Sequence, residues 1–375
     1  MAYILIIFYL MAMIVLYPRL NKEGLPFYRA LLFLLILMSA FRFNVGVDTY
    51  SYTKEYDTFP NLHQLTYSFI QESRYKILWI IFESTLRSIT SSFYLLQVIL
   101  AIFVNYVVFK TIRNYSLHPF LAVLFYFLFF YFNLNMEILR ESIPMCLLLI
   151  GIDLLQKRKY ISYSIIAVIA FFFHESGVVL FVLPFIFYLN INKKIYFITI
   201  IVVFLISNII SIYFAEIIKN LNFLFMEQKL AYYETVSRSA GTELWVYIKY
   251  VIFPSIIFFV TFKKLTDFEK KAIFLYIICS ILYTQIFGFF RIRDYFLLAF
   301  LISISNIFVR GFGNLVYNNL FRLVFIFTFL FIFLFRYYYS DTSRFNLYQN
   351  YYPYNSIFDE QIPSSRLNYI KYLGK

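Results

Sequence analysis

The sequence predicts an all-α, polytopic membrane protein with about twelve transmembrane helices. Hydrophobic residues make up 62% of the 375 residues, and charged residues make up only 14%. Soluble domains carry about 25% charged residues and could not cover their surface with so few. Apolar runs of helix-spanning length recur along the chain, whereas the alternating strand patterns of about ten residues that build outer-membrane barrels are absent. The fold class follows from these three observations.

The predicted spans are apolar runs separated by short polar connections. Their bounds are about 3–17, 27–41, 93–109, 119–134, 138–155, 160–173, 177–189, 195–214, 244–262, 272–290, 295–309 and 323–335. The run 76–89 differs because Glu83 and Arg87 lie four residues apart on one helical face. This pattern predicts an interfacial helix rather than a span.

Short basic loops predict the direction of insertion. They lie near residues 19–22, 110–113, 157–159, 193–194, 263–271 and 310–322. The positive-inside rule puts these loops in the cytoplasm and both termini outside. It also accounts for the net charge of +13, so a nucleic acid is not predicted as a partner. The outer face then carries the loops 42–75 and 215–243 and the tail 336–375, and residues 1–375 are predicted to form one domain.

The first candidate residues follow the second predicted span. Arg42 can offer a bidentate fork to a phosphate. Gly46 lets the backbone bend or approach a ligand, and Asp48 follows this turn as a candidate general base. Tyr52 lies four residues further along the chain. The alternative interpretation is a snorkelling arginine beside a polar interfacial turn.

Arg140 is the second candidate, near the start of a later predicted span. An arginine at this depth is unfavourable unless it is paired or faces a cavity. Pro144 removes the amide that would bond the carbonyl of residue 140, which loosens the helix at the arginine. We therefore predict that Arg140 contacts a ligand. The alternative is an intrahelical pair with Glu137.

Two tight outer hairpins carry the remaining candidates. His174 and Glu175 lie at the first tip, and a histidine can transfer protons near neutral pH. Arg291 and Arg293 lie at the second tip, where their forks would suit the oxygens of a diphosphate. The alternative there is a helical i, i+3 pair between Arg291 and Asp294. The 3 histidines of the chain lack zinc-ligand spacing, so no metal or cofactor is predicted.

Taken in order, these residues resemble the EpsG/Wzy-like family of bacterial polysaccharide polymerases. The family pattern R-x-x-x-G-x-D-x-x-x-Y is matched by Arg42, Gly46, Asp48 and Tyr52. An arginine at the outer start of a later span, a histidine turn, a late arginine turn and a Y-P-Y tripeptide near the C-terminus follow. The resemblance therefore extends over most of the chain.

The resemblance implies a GT-C-like architecture in the bacterial cytoplasmic (inner) membrane and a metal-independent glycosyltransferase. Such O-antigen or exopolysaccharide polymerases transfer a glycan from an undecaprenyl-diphosphate donor to a lipid-linked repeat unit at the outer face. A chain-length regulator protein is a further partner that the resemblance suggests. The implied base is Asp48 or His174. The implied substrate-binding residues are Arg42, Tyr52, Arg140, Glu175, Arg291 and Arg293.

Two other functions fit part of the pattern. A lipid-linked oligosaccharide flippase would also have about twelve spans, but it should carry charged residues along a midplane path and a repeat between its halves. A membrane O-acyltransferase would use a base histidine, but it has no need for arginines on several outer turns. The polymerase remains the favoured prediction.

Overall fold

The structure is a computed structural model that describes residues 2–188, 192–220, 240–285, 289–310, 331, 347–359 and 361–372. Helices account for the regular secondary structure of these residues, apart from one isolated antiparallel bridge between Arg42 and Ser356. The predicted all-α class is confirmed for this part of the chain. The predicted span 323–335, apart from residue 331, and most of the predicted loop 215–243 lie outside the described residues.

The chain divides into two compact units. Unit 1 comprises Met1–Pro184 and Phe329–Lys375, and unit 2 comprises Phe185–Thr328. Unit 1 therefore joins the beginning of the chain to its C-terminal tail. The prediction of one functional domain over residues 1–375 stays a prediction.

The helices follow the predicted apolar runs closely. Their bounds are α1 Ala2–Leu16, α2 Gly24–Ala40, α3 Val47–Thr58, α4 Tyr67–Glu72, α5 Ile77–Ile89, α6 Tyr94–Tyr115, α7 Pro119–Tyr126, α8 Leu139–Gln156, α9 Tyr160–Phe173, α10 Val179–Tyr188, α11 Lys193–Asn220, α12 Ala240–Tyr247, α13 Phe253–Thr261, α14 Asp267–Gln285, α15 Phe289–Arg310 and α16 Ser364–Tyr372.

Two π-helical segments connect α7 to α8. They are Phe127–Tyr131 and Asn133–Glu137. The α7 helix begins at Pro119, whose missing amide costs nothing at a first helical position, and the His118 side chain accepts a hydrogen bond from Leu121 N. A π-turn admits an extra residue into a helix and is frequent at functional sites. This connection leads directly to the start of α8, where Arg140 lies.

Three described helical stretches are long and apolar enough to cross a membrane: Tyr94–Tyr115, Leu244–Lys264 and Phe289–Arg310. Five shorter apolar stretches accompany them: Ala2–Leu16, Gly24–Ala40, Pro119–Tyr131, Tyr160–Phe173 and Glu175–Tyr188. These helices fit a membrane protein. The number of twelve spans and the GT-C-like architecture stay predictions.

The segment 42–75 contains more structure than the predicted outer loop. It folds into α3, a short 3-10 turn at Leu62–Gln64, and α4. The following α5 directs Glu83 inward, where 3% of the residue is exposed. The α5 helix and the first turns of α6 and α8 enclose an apolar cluster. Its buried members are Tyr56, Trp79, Leu86, Phe93, Leu96, Leu100, Leu139 and Ile143.

Candidate functional site

The loop between α2 and α3 turns at Gly46. Its φ of +98° belongs to the region that favours glycine, and a Cβ there would lie 2.4 Å from the Met136 carbonyl oxygen. The close backbone approach expected at this glycine is thus present, and it is made to the protein itself. A glycine has no side chain to cap the helix that follows, so α3 needs a cap from elsewhere.

Glu137 supplies that cap from the end of the second π segment. Its Oε1 accepts from Val47 N at 3.1 Å, and its Oε2 accepts from Asp48 N at 2.9 Å. The negative carboxylate also lies at the positive end of the α3 dipole. The sequence analysis considered Glu137 only in the alternative interpretation, as an intrahelical partner of Arg140. Its observed hydrogen bonds instead join α3 to the segment before α8.

Arg42 is buried beneath this loop, with 1% of the residue exposed. Its Nη1 donates to the Ser39 carbonyl oxygen, and its Nη2 donates to Thr49 Oγ1 at 3.3 Å. Thr49 Oγ1 in turn donates to the Met136 carbonyl oxygen at 2.5 Å. Both arms of the guanidinium group are therefore used by the protein, and this geometry favours a structural role for the predicted phosphate-binding arginine.

A buried polar network continues from Ser39 into the helices. Asn105 Nδ2 donates to Ser39 Oγ at 3.2 Å and to Asn135 Oδ1 at 2.8 Å. Asn135 Nδ2 donates to Tyr126 Oη at 2.7 Å. Buried polar groups of this kind persist only when they are hydrogen-bonded, and a satisfied network favours one arrangement of the helices. The sequence analysis missed this network because its members are spread over four helical segments.

The C-terminal tail lies against the same loop. Phe43 N donates to Asn355 O at 2.9 Å, and Ile357 N donates to Phe41 O at 2.9 Å, on either side of the bridge between Arg42 and Ser356. A cis peptide bond joins Tyr352 and Pro353, the first two residues of the Y-P-Y tripeptide. The sequence predicted that this tail lies at the outer face. In the structure, its described part forms backbone hydrogen bonds with the loop between α2 and α3, residues 41–46, which we call the motif loop.

Arg366 of α16 anchors the tail at a second point. It is fully buried, and its Nη1 donates to Asn44 O at 3.3 Å while its Nη2 donates to Pro353 O. One guanidinium group therefore holds both the motif loop and the tail turn. Nothing in the local sequence around residue 366 predicted this role, because its partners lie far away in the chain.

Arg140 lies in an aromatic cluster between α3 and the start of α5. Its Nε donates to Tyr52 Oη at 3.3 Å, and its guanidinium carbon lies 4.3 Å from the centroid of the Tyr75 ring. The negative charge of Glu175 also acts on it. Among the described residues, Nε is the Arg140 atom that donates to the protein, which leaves Nη1 and Nη2 available to an anion. Stacking on a tyrosine orients the fork without occupying it.

Asp48 belongs to the same face of α3 as Tyr52. The two residues are separated by one helical turn, so their side chains project from neighbouring positions. Asp48 is half-buried. The structure therefore places two predicted site residues of unit 1 in contact, Tyr52 and Arg140, and Asp48 lies one turn before Tyr52 on α3. Glu175 contributes charge to this group from the hairpin after α9.

Two further carboxylates border the cluster. Glu55, one turn after Tyr52, accepts hydrogen bonds from Arg74 and from the Tyr75 hydroxyl. Burial raises the pKa of Glu83 to about 8 from its usual 4.5, and the charges of Glu55 and Arg140 also act on it. Sequence reasoning assigned neither residue to the site, since Glu55 lies in a segment predicted as a loop and Glu83 in one predicted as interfacial.

His174 caps the 3-10 turn Glu175–Val178. Its Nδ1 accepts from Ser176 N at 3.2 Å and is 2.7 Å from Ser176 Oγ. With Nδ1 acting as an acceptor, the neutral ring carries its proton on Nε2. Only 3% of the residue is exposed. This arrangement favours a structural role for the predicted base, since proton uptake would compete with the cap.

Arg291, Arg293 and Asp294 belong to unit 2. The sequence predicted a two-residue hairpin tip here, but these residues lie in the first turns of α15, and the connection from α14 falls at residues 286–288, outside the described residues. Asp294 Oδ1 accepts from Arg293 Nε at 3.1 Å and Nη2 at 2.7 Å. Asp294 is thus hydrogen-bonded to the adjacent Arg293, and its predicted pair with Arg291 stays an alternative. Arg293 also lies 4.2 Å from the Tyr250 ring centroid.

The unit 1 cluster contains a guanidinium group and carboxylates, and groups of these kinds can stabilise a leaving phosphate and accept a proton. No group of three or more His, Cys, Asp or Glu side chains suited to a metal occurs within the described part of the chain. Metal independence stays a prediction.

One comparison with known proteins finds a match. A family model described as the EpsG family matches residues 25–356, nearly the whole chain. The matched range begins in α2 and ends at Ser356, so it includes both the motif loop and the bridge partner of Arg42. No curated protein and no solved structure matches the chain.

Proposed function

The chain belongs to the EpsG family, and from this premise we propose that it is a polysaccharide polymerase acting on lipid-linked sugars at a membrane. The donor would be a glycan on undecaprenyl diphosphate, and the acceptor would be a lipid-linked repeat unit. The reaction would take place at the outer face of the bacterial cytoplasmic membrane. The family membership and the apolar helices support the coarse function, and the arginine site supports the substrate class.

The orientation of Arg140 is the observation that carries the proposal. Its Nε is held by Tyr52 and its guanidinium carbon lies over the Tyr75 ring, so the remaining nitrogens are pre-oriented. Two parallel N–H groups match the oxygens of a phosphate in bidentate geometry. A guanidinium group fixed before the substrate arrives stabilises the charge that develops as the diphosphate leaves. A lysine ammonium group could neutralise the charge of the phosphate, but it could not offer two parallel N–H groups in one plane.

Asp48 is the base that the geometry favours. It projects from the same face of α3 as Tyr52 and would accept the proton of the acceptor hydroxyl. The hydroxyl oxygen then forms a bond to the anomeric carbon, while the bond from that carbon to the diphosphate oxygen breaks and the diphosphate keeps the electron pair. His174 is the weaker candidate because its Nδ1 already accepts from Ser176 N.

The predicted contacts in unit 2 form a separate part of the proposal. Arg293 is buried against Tyr250 and Tyr283 and is paired with Asp294. Its charge is therefore partly compensated within its own unit. We retain Arg291 and Arg293 as predicted diphosphate contacts that contribute less to binding than Arg140.

Reconstitution tests the proposal. The purified full chain would be placed in proteoliposomes with a synthetic undecaprenyl-diphosphate repeat unit and EDTA, and the products would be resolved on a gel. A ladder of lengthened glycans is expected from the wild type, and its loss is expected in Arg140→Ala and Asp48→Asn. The exposed Arg113→Ala serves as the matched control.

Three results would contradict the proposal. A ladder that appears only when divalent metal is restored would overturn the metal-independent mechanism. Transfer of the lipid-linked unit between leaflets without any lengthened glycan would assign the chain to the flippases instead. A ladder that persists in Arg140→Ala would show that the diphosphate is held elsewhere.

A further inference from the structure

We propose that Glu137 and Asn350 are positioning residues that fix the first turn of α3 and thereby orient Asp48 and Tyr52. The inference rests on the proposed function, because it assigns these two α3 residues to the reacting site. Neither positioning residue would touch the substrate. Their effect would pass through the backbone of α3 to the side chains that do.

The conformation of Gly46 creates the need for such a device. The positive φ and the close approach to Met136 exclude a side chain at the position that normally caps a helix. The first amides of α3 are therefore left without a local acceptor. The carboxylate of Glu137 accepts from two of them, so it replaces the missing cap with one that is 90 residues away in the chain.

The charge of Glu137 is balanced in its buried setting. Only 8% of the residue is exposed. The buried guanidinium groups of Arg42 and Arg366 both feel its negative charge. A buried carboxylate is tolerated when it is hydrogen-bonded and paired with opposite charge. Each of these arginines is itself tied to the motif loop, so the charges and the loop form one connected structure.

Asn350 connects this structure to the tail. Its Nδ2 donates to Glu137 Oε1, and its backbone oxygen accepts from Gly46 N at 3.2 Å. One tail residue thus bonds both to the capping carboxylate and to the glycine that precedes α3. With 4% of the residue exposed, solvent does not replace either bond readily. Removal of Asn350 should loosen the same first turn that Glu137 caps.

The consequence for the site follows from helix geometry. Asp48 lies in the first turn of α3, and Tyr52, which holds Arg140, lies one turn later. A helix whose first turn frays moves the side chains on that turn most. Loss of the cap should therefore reduce the rate of the chemical step more than it weakens substrate binding.

Hydrogen–deuterium exchange of the full chain in detergent tests the coupling directly. In Glu137→Gln and in Asn350→Ala, the amides of residues 47–51 should exchange about 10-fold faster, since each variant removes part of the cap. Amides in α6 should exchange at the wild-type rate. The matched controls are the exposed substitutions Glu72→Gln and Gln361→Ala, which should leave α3 unchanged.

Kinetics with the lipid-linked donor provide the second readout. Both variants should lower kcat about 10-fold while KM for the donor stays within about 2-fold. The kcat of the double variant should be close to that of either single variant, because both substitutions disturb the same first turn of α3. A purely structural role would instead lower the amount of folded enzyme and leave kcat per folded molecule unchanged.

The possible results separate this inference from the proposed function. Unchanged exchange at residues 47–51 in both variants would overturn the positioning role, whatever the activity. Faster exchange with unchanged kcat would overturn it too, because α3 would then have no part in the reaction. A wild type that makes no polymer would instead reject the proposed function, and the exchange would still decide whether Glu137 and Asn350 fix α3.

Discussion

Arg42 and Arg140 both lie at helix ends in unit 1, but the protein uses them differently. Arg42 is buried, and both of its terminal nitrogens donate to the chain. Arg140 is half-buried and is held through Nε by Tyr52, and among the described residues its Nη1 and Nη2 have no hydrogen-bond partner. The arginine of the family motif thus supports the loop, whereas the arginine of the less distinctive segment is the one that we propose for binding.

This difference indicates that a sequence motif can mark the rigid part of a site. Gly46 and Arg42 shape the loop, and the loop fixes the start of α3. The chemistry then depends on side chains that project from this fixed start. Substitutions at the two arginines should therefore have different effects, on stability at Arg42 and on synthesis at Arg140.

The largest effect is expected from Arg42→Met, which should destabilise the protein by about 3–5 kcal/mol because it removes a buried charge from its partners. The measurement is the yield and the melting temperature of the protein in detergent. Arg29→Met, at an exposed position of α2, is the control. A variant of Arg42 that melts like the wild type but no longer binds the donor would reverse the assignment of the two arginines.

Arg140→Lys should leave the melting temperature nearly unchanged and lower polymer synthesis about 100-fold, since lysine cannot offer a planar fork. Competition assays sharpen this expectation. Undecaprenyl diphosphate should compete for the wild-type site better than undecaprenyl monophosphate, and the variant should discriminate less between the two. Equal discrimination by the wild type and the variant would mean that Arg140 does not read the diphosphate.

Tyr52→Phe should have a smaller effect. It retains the ring but removes the hydroxyl that accepts from Arg140 Nε, and a loss of about 1 kcal/mol corresponds to a decrease in rate of about 5-fold. Tyr67→Phe in α4 is a suitable comparison because its side chain is exposed. If the two substitutions reduced synthesis equally, the hydroxyl of Tyr52 would have no special part in orienting Arg140.

Glu83→Gln should change stability with pH rather than activity at neutral pH. Because burial raises the pKa of Glu83 to about 8, the folded protein holds a proton that the unfolded chain releases above its usual pKa of 4.5. The stability from this group is complete below that usual pKa and is lost as the pH rises toward the folded value. Melting temperatures should therefore diverge in favour of the variant across that interval.

A melting difference that does not depend on pH would contradict the raised pKa. Glu55→Gln offers a comparison nearby, because this carboxylate is paired with Arg74 and is partly exposed. Its removal should weaken the contact with Tyr75, a contact that Glu83→Gln leaves in place.

Hydrophobic patterns predicted the apolar helices well. The predicted span 160–173 matches α9, and 138–155 differs from α8 by one residue at each end. These helices follow from local composition, which apolar runs record directly. The helix α3 was missed for the opposite reason, because its sequence is polar and its cap is contributed by Glu137.

For the candidate site, sequence order and sidedness grouped Asp48, Tyr52 and Arg140. The structure places Tyr52 against Arg140, and the roles of all three residues stay predictions. The capping role of Glu137 and the anchoring role of Arg366 could not be predicted, since their partners are distant in the chain and no local spacing records them. Pairings of this kind are decided by tertiary packing rather than by propensity.

The pairing between the tail and the motif loop sets an order of events during synthesis. Tyr354 donates to the Met38 carbonyl oxygen, a contact that joins residues 316 positions apart. At about 5–20 residues per second, the ribosome takes about 16–60 s to make the intervening chain. The motif loop is synthesised early and lacks its contacts with the tail during that interval. In a nascent chain, the loop would therefore be completed only after the helices between Met38 and Tyr354 had been synthesised. Any reaction that depends on the loop would be delayed until then.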